Sequence, residues 1–124
     1  MNRIQGAIDF TITEQGAERV VGEMPVQPGI LNPFGIAHAG AMLWFADVCA
    51  TVLAAGTSDF RPGMPGFPLA INLNASLVGN QKDGVFTATS SFVKRGKRLN
   101  IVRTAITGAD GRLIAEVTTS HIPA

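Results

Sequence analysis

AGAMLWFADVCATVLAA, residues 39 to 55, decides the reading of this chain. The run has no proline, carries five alanines from Ala41 onward, and adds Met42, Leu43 and Leu53, all good helix formers. Gly56 follows as a C-terminal stop. At 1.5 Å per residue such a helix is about 25 Å long. It is apolar on nearly every face, which predicts a buried helix rather than a surface one. Within the wider stretch from Met24 to Ser58 the only formal charge is Asp47, near the middle of the helix.

Outward from the helix the chain favours strands. Ala7 to Thr13 and Ala17 to Met24 read as two strands joined at Glu14-Gln15-Gly16. Leu69 to Val78 alternates, with Leu69, Ile71, Leu73 and Ala75 expected on one side and Asn72, Asn74 and Ser76 on the other. Val85 to Val93 and Leu99 to Ile106 are rich in Val, Ile, Thr and Phe. Asp110-Gly111 predicts a hairpin turn into a last strand, Leu113 to Ile122. Asn80 to Gly84 and Arg95 to Lys97 supply the other turns, and Pro25 to Gly35 and Gly63 to Pro68 read as loops. Two strands, one long helix and four strands imply an α+β domain, an antiparallel sheet curled around one helix.

Composition bounds the function. The 124 residues make one domain, with no repeat or linker. Hydrophobic residues make up 46% and charged residues only 15%, which predicts that part of the apolar surface meets a partner chain. The apolar run of about eight residues from Ala39 to Ala46 is too short to cross a bilayer, and the N-terminus lacks the apolar core of a signal peptide. A cytoplasmic protein with no membrane partner is expected. A net charge of +1, one Trp and no Tyr argue against a nucleic-acid partner. Cys49 is the single cysteine, so no internal disulfide or Cys-based zinc site is expected, and two lone histidines add no metal signal.

Asp47 carries the chemistry. A carboxylate in an apolar helix is costly unless paired, hydrogen-bonded or functional. Thr51, four residues on, faces the same side and offers its hydroxyl. The structural alternative is an exposed strip, or neutralisation by an arginine of the sheet. The preceding residues, Asn32-Pro33-Phe34-Gly35-Ile36-Ala37-His38-Ala39-Gly40, favour function. Small residues at Ala39 and Gly40 admit close approach to the free N–H groups of a helix start, which attract negative charge. Asn32 adds an amide donor. An acid, a backbone anion site and an amide suggest acyl transfer or hydrolysis. His38 invites a general-base role, although bracing of the loop through hydrogen bonds is the favoured reading. Cys49 points off the Asp47 face and reads as a small buried hydrophobe.

Asn32-x-x-Gly35-x-x-His38-Ala39-Gly40, with Asp47 nine residues after His38, resembles the hotdog-fold acyl-CoA thioesterases, and in particular the phenylacetate-degradation (PaaI-like) type that includes aryl-CoA thioesterases. The resemblance spans nearly the whole chain and is more specific for the family than for the substrate. It implies that Asp47 serves as nucleophile or as general base for water. It implies further that Thr51 helps place the water or carboxylate, that Asn32 lies near the thioester carbonyl, and that the Ala39 N–H is the main oxyanion donor. Acid and donor come from facing subunits in that family, so a homodimer or a dimer of dimers is implied. Two positions depart from the pattern. Ala39 stands where the family usually has the middle glycine of His-Gly-Gly, and Ala70 stands where some members carry Ser or Thr.

Between Gly84 and Ala109 there are five basic residues and no acidic one, and Lys94, Arg95, Lys97 and Arg98 cluster at one turn. Basic side chains suit the phosphates of a coenzyme A tail, and an ordinary solvated hairpin is the alternative. Coenzyme A enters as part of the acyl-CoA substrate, and no separate cofactor is expected. The expected reaction is hydrolysis of an aromatic or medium-chain acyl-CoA. The alternatives are a hotdog-fold hydratase or dehydratase, which would pair a histidine with a carboxylate, and a non-catalytic acyl-CoA binder.

Overall fold

In the computed structural model, which describes residues 1 to 124, helix α1 (Ala39–Ala55) has the bounds that the sequence predicts. Its C-terminus is closed by Gly56 in the left-handed conformation, φ +72°, whose N–H reaches the carbonyls of Leu53 and Val52. Its start differs from expectation. His38 occupies the N-cap position with an extended backbone but makes no side-chain cap bond. The bracing comes instead from the His38 main chain, whose N–H donates to Ile30 O at 2.8 Å.

Six strands form one antiparallel sheet: β1 (Thr11–Gln15), β2 (Arg19–Pro25), β3 (Pro68–Leu77), β4 (Val85–Arg95), β5 (Asn100–Thr107) and β6 (Leu113–Pro123). Their spatial order is β1-β2-β4-β5-β6-β3, so β1 and β3 are the edges. A short 3-10 turn, Pro28–Ile30, precedes α1. The sheet curls so that α1 packs against every strand. Val20 and Met24 of β2, Phe86 and Ala88 of β4, Val102 and Ile106 of β5, and Val117 of β6 enclose Phe45, Cys49 and Val52 of the helix. Gly22 lets helix and sheet meet, since a Cβ there would lie 2.7 Å from Cys49 Sγ. No helix is long and apolar enough to cross a membrane.

Three local expectations need correction. The first strand begins at Thr11, not Ala7. Residues 7 to 10 form a strap outside the ladder, held where Gln27 Oε1 accepts from Asp9 N and Gln27 Nε2 donates to Asp9 O, each at 2.8 Å. In β3 a bulge between Ala70 and Asn72 breaks the alternation. Leu69 pairs with Ile122 and Leu73 with Thr119, three residues apart on β6, so Leu69 and Leu73 point to opposite faces. Finally, α1 is not buried all round. Its outer stripe of Gly40, Leu43, Trp44 and Asp47 is uncovered, and Trp44 is 46% exposed. The helix is apolar on both sides, but a single chain supplies a sheet for only one of them.

Candidate active site

Residues 32 to 38 fold as a turn feeding the helix. Asn32 O accepts from Gly35 N at 2.9 Å, Pro33 presets the first turn dihedral, and Gly35 takes φ +74°. Asn32 Oδ1 accepts from Phe34 N at 2.9 Å and Ile36 N at 3.4 Å. That fixes the amide so that its oxygen serves the turn and its NH2 is left to donate outward. In α1 the first amides to find helical partners are Ala41 N and Met42 N, both on His38 O. The N–H groups of Ala39 and Gly40 precede them at the exposed helix start, as an unpaired helix N-terminus requires. Asn32 and Ala39 line one cavity of about 360 Å³ together with Ile36, Met42, Leu77 and Asn80.

Asp47 lies in a second cavity of about 380 Å³ with Trp44, Val48, Thr51, Phe60, Phe67 and the β3 residues Pro68 to Ala70. It is half-buried, and the Thr51 hydroxyl donates to Asp47 Oδ1 at 3.4 Å, the contact that the i, i+4 spacing predicts. None of the three ion pairs of the chain includes Asp47, so neutralisation by an arginine is ruled out. Ala70 at the cavity wall offers no hydroxyl, as expected. Phe60 and Phe67 meet edge to face here, 5.2 Å between centroids, whereas Phe45 belongs to the core and Phe34 is 80% exposed.

Within one chain the two cavities stay apart. Ala39 and Asp47 are eight helical residues, about 12 Å, from each other along the axis. His38 lines neither cavity. It faces a third, with Trp44 and the N-terminal strap, and so forms no dyad with Asp47 in the chain. Cys49 is fully buried, and desolvation pushes its thiol up to about 12, which keeps it protonated and unreactive.

The basic turn sits beyond the helix C-terminus, where Leu53, Gly56, Phe92, Arg95 and Asn100 share a cleft. Arg95 already has partners within the chain. Its Nη1 pairs with Glu18 Oε1 at 3.2 Å, its Nη2 bonds Ala17 O, and its guanidinium lies 4.3 Å over the Phe92 ring. Arg103 likewise pairs with Glu116 at 3.0 Å. Lys94, Lys97 and Arg98 are exposed and enter none of the ion pairs.

Comparison with known proteins places this architecture. No family model matches the chain. The Bacillus subtilis protein named "Putative esterase ComA2" is 29% identical over 108 residues, covering 87% of this chain and 83% of that protein. A thioesterase from Staphylococcus aureus superposes with a TM-score of 0.83 over 92% of each chain at 26% identity. A hypothetical thioesterase protein from Streptococcus pneumoniae, solved with coenzyme A, gives 0.82 over 94% of this chain and 86% of that one at 19% identity. The chain has the hotdog fold of these thioesterases.

One residue of this hotdog chain escaped the sequence reading. Asn80 clasps the main chain of Ala37 from both sides. Its Oδ1 accepts from Ala37 N at 3.2 Å and its Nδ2 donates to Ala37 O at 3.0 Å. Two residues later stands the Ala39 amide, so Asn80 positions the helix start. In sequence it is one polar residue of a turn, and only its 43-residue reach across the fold reveals the role.

Proposed function

We propose that the chain hydrolyses acyl-CoA thioesters at an active site shared by two copies, with Asp47 from one and Asn32 and Ala39 from the other. One observation carries this reading: the two half-sites border opposite ends of the same unpaired edge strand. Pro68, Leu69 and Ala70 wall the Asp47 cavity, and Leu77 walls the Asn32–Ala39 cavity. A two-fold axis near the middle of β3 pairs the edges antiparallel and brings the Pro68 end of one copy against the Leu77 end of the other. Each acid cavity then abuts an amide cavity. The exposed apolar side chains of β3 (Leu69, Ile71, Leu73 and Leu77) support the pairing.

In this arrangement the Ala39 N–H and the Asn32 NH2 hold the thioester oxygen as negative charge develops on it. Asp47 either activates a water or attacks the carbonyl itself, with Thr51 holding the carboxylate. The C–S bond breaks, water supplies the second oxygen of the product acid, and coenzyme A leaves as the thiol. The Ala39 methyl narrows the approach without removing the donor. Lys94, Lys97 and Arg98 are the side chains left for the coenzyme A phosphates. The acyl group is aromatic or of medium length, the PaaI-like type, and the working form is a cytoplasmic homodimer or dimer of dimers. The separate cavities of His38 and Asp47 weigh against a hydratase dyad within one chain. The test is release of free thiol from an acyl-CoA panel. Asp47→Asn is expected to fold normally and to lose on the order of a thousandfold in kcat. Undiminished turnover would remove Asp47 from the mechanism.

A further inference from the structure

Trp44 lines two cavities at once. It borders both the Asp47 cavity and a cleft of about 340 Å³ formed with Gly6, with Ala7 and Ile8 of the strap, and with Ile30, Ala41 and His38. We propose that this cleft receives the distal part of an unbranched, medium-length aliphatic acyl chain whose thioester lies at Asp47, and that Trp44 is the wall the chain passes.

The inference rests on the thioesterase reading above and deepens it. The cleft suits an alkyl chain by its chemistry. Its lining side chains are carbon apart from the imidazole of His38 and the indole N–H, and none of them carries a carboxylate or an ammonium. Its volume falls in the range of small-molecule sites. It is also preformed. Gln27 holds Asp9 on both main-chain atoms, and Gly29 approaches the strap so closely that a Cβ would overlap Ala7 O. Phe10, next along the strap, packs its ring 4.9 Å from both Trp44 and Phe45, which fixes the indole as a partition. An aryl group would end against Phe60 and Phe67 and gain nothing from the cleft, whereas a growing alkyl chain gains contact with every carbon.

The chain provides its own reporter, because Trp44 is the only tryptophan and there is no tyrosine. Intact protein is titrated with non-hydrolysable S-alkyl thioethers of coenzyme A, butyl to decyl, and with coenzyme A alone, following tryptophan emission. A saturable blue shift is expected whose affinity rises about fourfold per added methylene, roughly 250-fold from butyl to octyl. Ile8→Phe, which fills the cleft from the strap, is expected to lose at least tenfold for the octyl compound and nothing for the butyl one. Equal affinity for butyl and octyl, no emission change, or an octyl advantage untouched in folded Ile8→Phe would overturn the proposal. If Ile8→Phe does not fold, the wild-type series decides. Thiol release is measured in parallel. A chain-length-dependent shift without any release would sink the hydrolase reading and leave the cleft standing. Release without the shift would do the reverse.

Discussion

Strand β1 ends the sheet on one side with five residues, a bulge between Ile12 and Glu14, and an ion pair from Glu14 to Arg19 at 3.0 Å. Strand β3 ends it on the other with ten residues, no charge, and large apolar side chains in the open; Ile71 is 55% exposed and Leu73 39%. Short length, a bulge and charge are the devices by which proteins keep an edge from pairing. β1 has all three. β3, whose bulge falls among its first residues, is long and uncharged. The contrast teaches that the apolar excess of the composition is concentrated on one edge and on the bare stripe of α1 beside it. Both border the cavities that hold Asp47 and the Asn32–Ala39 pair.

The sharpest way to break the contrast is to charge each edge in turn. Leu73→Lys is expected to yield a folded monomer by light scattering and to lose roughly a hundredfold in kcat/KM for acyl-CoA, the loss of one side of an oxyanion site. Thr13→Lys on β1 is expected to change neither. A dimeric, active Leu73→Lys would show that β3 is not the interface. Smaller is the effect of Asn80→Ala, which frees Ala37. About 1–2 kcal/mol of stability and roughly a tenfold fall in kcat with KM unchanged are expected, read by denaturant melts and steady-state kinetics. Smaller again, Lys97→Ala with Arg98→Ala is expected to raise KM a few-fold at low salt and less at high salt, while Arg95→Ala leaves KM unmoved.

The least effect should come from the covered side of the helix. Cys49 has its thiol pushed up from 9.0 to about 12 by burial. The folded chain therefore keeps the proton that the unfolded chain gives up, so stability is unaffected below pH 9 and declines as pH rises above it. Alkylation of the native thiol at pH 8 should be no faster than global unfolding. Rapid modification there would mean that the helix lifts from the sheet.

How much of this was legible beforehand varies with the reach of the interactions. The helix bounds were, because the apolar run and Gly56 are local signals. So was the Asp47–Thr51 contact, one helical turn long. The start of β1 was not. Ile8 and Phe10 alternate like strand residues, but their apolar faces serve the strap and the Trp44 partition. The β3 bulge was hidden because it changes the face of residues without changing their type. Arg95 read as a free cation because Glu18, its partner, lies 77 positions away. The placement of the two cavities at opposite ends of β3 needs the register of the sheet, which no motif encodes.

Gly22 bears on the precision of the chemistry. A Cβ on that strand residue would stand 2.7 Å from Cys49 Sγ and 3.0 Å from Phe45 Cε1, so these helix side chains would have to give way by up to about 1 Å to restore van der Waals spacing. Asp47 rides on the same rod, and in the reaction proposed above a misplacement of that size at the reacting group costs roughly a hundredfold in rate. The height of Asp47 above the sheet is thus set from behind, by a single absent methyl on β2.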